Sequence, residues 1–143
     1  MILLNMPVIR RGGLEDLAEV AAIQAASPEA AQWNPADYAR YDFLVAVCEE
    51  RVVGFLVTRK LAQGEYELLN LAISPRYRRQ GVAAALWNSF LAEFRGTVYL
   101  EVRSSNEGAR KFYNYIGFQP VTVRPGYYQS PSETAIVMKF HSC

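Results

Sequence analysis

The segment best suited to hold a ligand is Ser74–Trp87, SPRYRRQGVAAALW. Three arginines, Arg76, Arg78 and Arg79, precede Gly81 and a run of small residues. A helix N-terminus presents backbone N–H groups without intrahelical partners and about half a positive charge, so it suits a phosphate group. Gly81 allows close approach of the backbone, and Ala83 and Ala84 keep the first turn bare. The pattern predicts a pyrophosphate site between a strand and a helix, although a loop of solvated arginines fits the charges equally well.

Composition narrows the chemistry further. The 143 residues carry a formal net charge of +1, which argues against a dedicated nucleic-acid binder. With two cysteines, Cys48 and Cys143, and one histidine, His141, neither a metal-ligand spacing nor a Ser-His-Asp arrangement is expected. No apolar run reaches the ~20 residues of a membrane helix, and the start of the chain lacks the features of a signal peptide. We therefore expect a cytoplasmic protein with no metal and no nucleic-acid or membrane partner.

The hydrophobic periodicity predicts one α/β domain, residues 1–143, with the element order βααβββαβαββ and one long mixed sheet flanked by helices. The predicted strands are Pro7–Gly12, the hairpin Phe43–Leu61 with its turn at Glu49–Arg51, Glu65–Ser74, Thr97–Ser104, Phe118–Val123 and Thr134–Phe140. The predicted helices are Leu14–Ala26, a short one starting at Asn34–Pro35, Gly81–Phe94, and one that opens with a Ser104-x-x-Glu107 capping box and ends at Gly117.

The strand TVYLEVRS presents a carboxylate on its polar face. Val98, Leu100 and Val102 point one way, so Glu101 and its two polar neighbours point the other. A glutamate in this place could act as a general base, and it could equally be a solvent-facing strand residue. The pattern alone does not separate the two.

Three segments together resemble a known family. RRQGVA (Arg78–Ala83) fits the Arg/Gln-x-x-Gly-x-Gly/Ala signature of the GNAT superfamily of N-acetyltransferases, and LLNLAISPRYRRQGVAAALW, YLEVRSSNEGARKFYNYIGF and RPGYYQSPSETAIVMKF resemble segments of its ribosomal-protein-alanine N-acetyltransferases. The close resemblance covers Leu68 to Phe140. It implies a single-domain GNAT fold with a mostly antiparallel sheet of six to seven strands and about four helices.

The resemblance also implies how the chain binds acetyl-CoA. The strand before the loop would pair with the pantetheine arm, the loop amides would hold the pyrophosphate, and Asn106 would contact the arm, its alternative role being that of a helix N-cap. The implied cofactor-binding residues are Leu71, Ala72, Ile73, Arg78, Arg79, Gln80, Gly81, Val82, Ala83, Ala84 and Asn106.

The implied reaction is attack of an amine on a thioester. An α-amine with a pKa of roughly 7.7–8.0 is largely protonated near neutral pH, so a base must take its proton. Glu101 is the implied base, acting directly or through water, and Tyr113 is the implied acid for the departing thiolate. The alternative for Tyr113 is a helix aromatic packed beside Phe112 and Ile116 in the core.

The acceptor amine is the component of the implied reaction that the sequence determines least. RPGYYQ (Arg124–Gln129) resembles a loop that places tyrosines beside the acceptor peptide in N-terminal acetyltransferases, so Tyr127 and Tyr128 would bind substrate unless they are surface aromatics of a hairpin. Gly126 and the short QSPSET connection depart from the ribosomal enzymes' pattern. We expect the N-terminal amine of a protein or peptide as acceptor; alternatives are a small-molecule amine such as a polyamine, amino acid or antibiotic, and a non-catalytic nucleotide- or RNA-binding module. We expect a monomer or weak dimer.

Overall fold

A computed structural model describes residues 6–129 and 132–142 of the chain. Within these ranges the chain forms seven strands, three α-helices and short 3-10 helices in the predicted order. The strands are β1 Val8–Arg11, β2 Asp42–Cys48, β3 Arg51–Ala62, β4 Glu65–Ile73, β5 Gly96–Arg103, β6 Gln119–Gln129 and β7 Ser132–Ser142. The helices are α1 Leu17–Ala25, α2 Val82–Ala92, α3 Glu107–Tyr115 and the 3-10 helices Leu14–Asp16, Pro35–Arg40 and Pro75–Tyr77.

The strands form one mixed sheet, as predicted, with the order β1-β2-β3-β4-β5-β7-β6. Strands β1 and β2, β2 and β3, β5 and β7, and β6 and β7 pair antiparallel. Strands β4 and β5 pair in parallel from Glu65 with Thr97 to Glu67 with Tyr99. The hairpin prediction is confirmed, since β2 and β3 are joined at Glu49 and Glu50.

The chain divides into two compact units, and β4 contributes residues to both of them. The first unit, residues 1–59 and 69–93, carries α1, α2 and the loop between β4 and α2. Its core is formed by side chains of α1, the 3-10 helix Pro35–Arg40, β2, β3 and β4: Val20, Ile23, Tyr38, Phe43, Val45, Val52, Phe55, Val57, Leu69 and Ala72. On α2, Val82, Leu86 and Trp87 are buried.

The second unit, residues 60–68 and 94–143, carries β5, β6, β7 and α3. The alternation predicted for β5 is confirmed, because Val98, Leu100 and Val102 are buried and the residues between them are half-buried. Glu101 therefore lies on the polar face of a strand that is paired along its whole length with β7 on one side.

Two local predictions are wrong. The capping box at Ser104 and Glu107 does not form, because α3 begins one residue after Asn106, whose side-chain oxygen accepts from the Ala109 N–H at 3.2 Å. The segment Arg124–Gln129 is not a loop, because it continues β6. A register shift between Arg124 and Tyr128 accommodates the Pro-Gly pair within the strand.

Candidate active site

The loop before α2 has the backbone of an anion-binding site. Arg79 and Gly81 both have positive φ, 62° and 83°, a conformation that is uncommon for a residue with a Cβ and that orients successive N–H groups. Helix α2 begins directly after Gly81, so the N–H groups of its first turn have no intrahelical acceptor. A Cβ placed on Gly81 would meet no atom within 4 Å, so the space beside this loop is open to a ligand.

The Arg78 side chain stabilises this loop from within. Its Nε donates to the Ile73 carbonyl at 3.0 Å, and its Nη2 donates to Ser27 Oγ at 2.9 Å and lies 3.5 Å from Glu29 Oε1. The guanidinium therefore holds the loop to the end of β4 and to the segment after α1. The family resemblance implied that Arg78 binds the cofactor, and in the structure its charge is engaged in protein contacts.

The neighbouring side chains of the loop are arranged differently. Arg76 and Arg79 are exposed, and the Gln80 side chain donates to the Arg76 carbonyl at 2.9 Å. The backbone turn and the Arg76 and Arg79 side chains are thus accessible to a ligand in solution, whereas the Arg78 side chain, although 40% exposed, is held by its protein contacts.

The end of β4 is fixed by residues that the motif did not indicate. The Leu71 N–H donates to the side-chain oxygen of Asn70 at 3.0 Å, and Ala72 is buried. A Cβ on Gly54 of β3 would lie only 2.7 Å from Ile73 Cδ1 and 3.3 Å from Val82 Cγ1. Gly54 therefore leaves the room in which the last residue of β4 and the first residue of α2 pack. Sequence reasoning missed both Asn70 and Gly54, since neither lies in the motif.

A buried polar network orders the segment that precedes β2. The Asn70 side chain donates to Gln24 Oε1 at 3.1 Å and to the Ala31 carbonyl at 2.9 Å, and Tyr38 donates to Gln24 Oε1 at 2.5 Å. The Trp33 indole donates to the Leu69 carbonyl at 3.2 Å. Burial raises the pKa of Tyr38 to about 12, against the opposing effect of its hydrogen bond with Asn70. The Tyr38 hydroxyl is thus part of the buried network that orders this segment.

The predicted base lies in a cluster of charged and aromatic side chains in the second unit. Arg124 Nη1 donates to Glu101 Oε1 at 2.7 Å, and the Glu101 side chain is only 19% exposed. The other carboxylate oxygen, Oε2, is closed to solvent and accepts no hydrogen bond from the residues that the structure describes. Sequence reasoning missed Arg124, which lies 23 residues further along the chain.

Tyr127 completes this cluster. Its ring lies under the Arg124 guanidinium, whose Cζ is 4.5 Å from the ring centroid. Burial raises the pKa of Tyr127, and so do the charge of Glu101 and a hydrogen bond to it, while Arg124 lowers it. The Tyr128 backbone pairs with Glu133 in β7. The two tyrosines therefore lie on one arm of a hairpin, and Tyr127, which is 44% exposed, lies beside the predicted base.

The other two predicted residues of this unit lie on and before α3. The Tyr113 ring is buried, 8% exposed, and its centroid lies 5.6 Å from that of Phe118 and 5.8 Å from that of Phe112. The ring thus packs in the aromatic core, as the structural alternative for it required. Asn106 caps α3 with its side-chain oxygen, so its predicted contact with a cofactor would be additional to a structural role.

The connection from β5 to α3 is held by a carboxylate from β7. Glu133 Oε2 accepts from the Ser105 N–H at 2.6 Å and from Ser104 Oγ at 3.1 Å, while its Oε1 lies 3.4 Å from Arg103 Nη1. The hydrogen bonds from Ser105 are the main cause that lowers the pKa of Glu133 to about 2. Glu133 fixes the two residues that precede Asn106, and the sequence did not indicate it.

Two features of the described residues concern metal binding and membrane spanning. In residues 6–129 and 132–142, no group of three or more histidine, cysteine, aspartate or glutamate side chains could hold a metal ion. Over the same ranges, no helix is both long enough and apolar enough to cross a bilayer.

Comparison with known proteins identifies the class of enzyme that this fold and loop define. Residues 14–118 match the model of the Acetyltransferase (GNAT) family, and the chain belongs to that family. The protein is similar to the [ribosomal protein bS18]-alanine N-acetyltransferase of Haemophilus ducreyi, with 34% identity over 110 residues, 72% of this chain and 75% of that protein. It is also similar to the enzyme of the same name from Escherichia coli K12, with 37% identity over 94 residues, 62% of this chain and 63% of that protein.

Solved structures agree with the family and with the predicted fold. The crystal structure of the ribosomal-protein-S18-alanine N-acetyltransferase from Escherichia coli superposes with a TM-score of 0.79 at 29% identity, over 94% of this chain and 93% of that one. Ard1 from Thermoplasma volcanium gives a TM-score of 0.87 at 31% identity, over 96% and 99%. The resemblance seen in the sequence is confirmed, and the protein is an N-acetyltransferase of the GNAT fold.

Proposed function

We propose that this protein transfers an acetyl group from acetyl-CoA to the N-terminal α-amine of a protein or peptide. The observation that carries the proposal is Glu101: a carboxylate on the polar face of β5 with Oε1 engaged by Arg124, while Oε2 is closed to solvent and accepts no hydrogen bond from the described residues. The relatives whose names state an alanine N-acetyltransferase activity on a ribosomal protein support this choice of acceptor.

The loop before α2 is the proposed site for the pyrophosphate of acetyl-CoA. Its positive φ angles and the open space at Gly81 fit a diphosphate held by backbone N–H groups. We propose that residues 79–84 hold the diphosphate through their amides, and that Arg78 acts by holding the loop in shape. Leu71, Ala72 and Ile73 would pair with the pantetheine arm through their main chain. When bound, acetyl-CoA supplies the activated acetyl thioester.

The protein's own side chains are proposed to transfer protons during the reaction. An acceptor ammonium with a pKa of roughly 7.7–8.0 must lose a proton before its nitrogen can attack. Glu101 would accept that proton, and a base held in place typically contributes ~10²–10⁴-fold to the rate. Tyr113 is proposed as the acid that gives a proton to the leaving thiolate, and Asn106 as a contact to the arm. Tyr127 and Tyr128 would line the path of the acceptor peptide.

The proposal is tested by offering the purified protein acetyl-CoA together with amines of different kinds and following released thiol. We expect turnover with short peptides that carry a free N-terminus and none with the same peptides blocked at that amine. Polyamines, amino acids and aminoglycosides form the comparison set. Turnover of those small amines without turnover of any peptide would contradict the proposed acceptor while leaving the acetyltransferase activity in place.

A further inference from the structure

We propose that Arg124 is a positioning residue for Glu101, which holds one carboxylate oxygen so that the other is kept for the proton of the acceptor. This inference rests on the proposed role of Glu101 as the base. It adds a residue that lies outside the acetyltransferase signature and on a different strand from the carboxylate it serves.

The two carboxylate oxygens are in different situations. Oε1 accepts a charge-assisted hydrogen bond of 2.7 Å from Arg124, which is among the stronger kinds of hydrogen bond. Oε2 is closed to solvent and accepts no hydrogen bond from the described residues, so the hydrogen bond between Tyr127 and this carboxylate falls on Oε1 together with that of Arg124. Leaving a buried acceptor unpaired costs stability, and such atoms call for an explanation in function. An acceptor atom reserved for a substrate ammonium or its water supplies that explanation.

Arg124 is itself fixed in place by its strand. The guanidinium lies over the Tyr127 ring at 4.5 Å, three residues further along β6. The β6–β7 register shifts between Arg124 and Tyr128, and such irregularities re-aim side chains. An arginine side chain that is 52% exposed has many accessible rotamers, and holding it in one of them costs conformational entropy. The stacking contact therefore lets Arg124 present Nη1 to Oε1 in one direction.

The other charges around Glu101 are engaged elsewhere or carry the same sign. On the same face of β5, Arg103 pairs with Glu133 of β7, and Lys139 of β7 lies over the Tyr99 ring at 5.9 Å. Glu67 of β4 acts electrostatically on Tyr127 and adds negative charge to the cluster. Within the described chain, Arg124 is the cation in contact with the Glu101 carboxylate. Its removal should therefore have an electrostatic as well as a geometric effect.

The experiment compares Arg124→Gln and Arg124→Lys with the wild type by steady-state kinetics across pH. Loss of the guanidinium charge beside Glu101 favours the protonated carboxyl, so the acidic limb of the kcat profile should move to higher pH in Arg124→Gln. A misplaced base should also lower the plateau kcat, by up to roughly 10²-fold, with the KM for acetyl-CoA unchanged. Arg124→Lys keeps the charge, so its acidic limb should stay in the wild-type position while kcat recovers in part.

Arg11→Gln is the matched control, because it removes an arginine from another exposed ion pair, with Asp42 at 3.6 Å. It should leave both kcat and the pH profile unchanged. The proposal is overturned if Arg124→Gln keeps the wild-type acidic limb, whether or not kcat falls, since a purely structural role lowers the rate without moving the limb.

A second measurement does not depend on turnover. In protein labelled with 13C at the glutamate carboxyl carbons, the Glu101 signal is assigned by its absence from Glu101→Gln. That signal should titrate at a higher pH in Arg124→Gln than in the wild type, and identical titration curves would overturn the proposal. If the wild type acetylates no amine, the proposed function fails, whereas this titration still shows whether Arg124 governs the carboxylate.

Discussion

The loop before α2 and the cluster around Glu101 are built in opposite ways. In the loop the backbone forms the site: positive φ at Arg79 and Gly81 and the start of a helix present N–H groups, while Arg78 is engaged in contacts within the protein. In the cluster the side chains form the site, because β5 only presents Glu101, and Arg124 and Tyr127 from β6 set its surroundings. The first arrangement suits binding of a diphosphate, and the second suits movement of a proton. Substitutions should therefore separate binding from turnover.

The largest expected effect is that of Glu101→Gln. The amide keeps the size of the side chain but cannot take a proton, so kcat should fall by ~10²–10⁴-fold. The KM for acetyl-CoA should change little, because the loop residues are untouched. Steady-state kinetics with a peptide acceptor give both numbers. Glu65→Gln, at an exposed position of β4, is the control and should behave as wild type; wild-type kcat in Glu101→Gln would exclude Glu101 as the base.

The next effect in size is that of Gly81→Val. The φ of 83° and the open space at this position mean that a branched side chain strains the loop by ~1–3 kcal/mol and enters the proposed diphosphate site. We expect at least tenfold weaker acetyl-CoA binding by calorimetry.

Gly64→Val separates strain from loss of the site. Gly64 has a φ of 74°, and a Cβ there would also meet no atom within 4 Å, but it lies in the turn between β3 and β4. Its valine variant should lose stability and keep its acetyl-CoA affinity. Equal loss of affinity in both variants would mean that strain, and not the diphosphate site, explains Gly81→Val.

Tyr113→Phe should have a smaller effect on turnover. The ring contacts with Phe112 and Phe118 persist in the variant, so the melting temperature should stay close to that of the wild type. Loss of the hydroxyl should lower kcat by about tenfold if it protonates the thiolate, somewhat less than a typical general acid contributes. Tyr115→Phe, at a side chain that is 84% exposed, is the control. Unchanged kcat in Tyr113→Phe would leave Tyr113 with a packing role alone.

The smallest expected effect concerns stability and pH at Glu133. Its pKa is lowered from 4.5 to about 2 in the folded protein, so the unfolded state binds more protons over this interval. The stabilisation is complete above about pH 4.5 and is lost as the pH falls towards 2. Glu133→Gln should therefore melt below the wild type near neutral pH, and the two melting temperatures should converge near pH 2. A gap that stays constant from neutral pH to pH 2 would contradict this account.

The same contrast explains what the sequence could predict. Local patterns sufficed to predict the start of α2 at Gly81, the alternation of β5 and the β2–β3 hairpin, because each depends on residues close together in the chain. The contact of Arg124 with Glu101 depends on the antiparallel register of β5, β7 and β6 and on the shift within β6, which no local pattern encodes. The same holds for Glu133, which reaches the Ser104–Ser105 turn from another strand. The capping box failed because Asn106, a residue equally favoured as an N-cap, took that role two residues later.

The most direct test of the division between binding and turnover is titration calorimetry of acetyl-CoA into wild-type and Glu101→Gln protein. We predict equal affinities for the two proteins, although only the wild type releases thiol at the full rate when a peptide acceptor is added. Folded wild-type protein that gives no binding heat and no rise in melting temperature with acetyl-CoA would contradict the account.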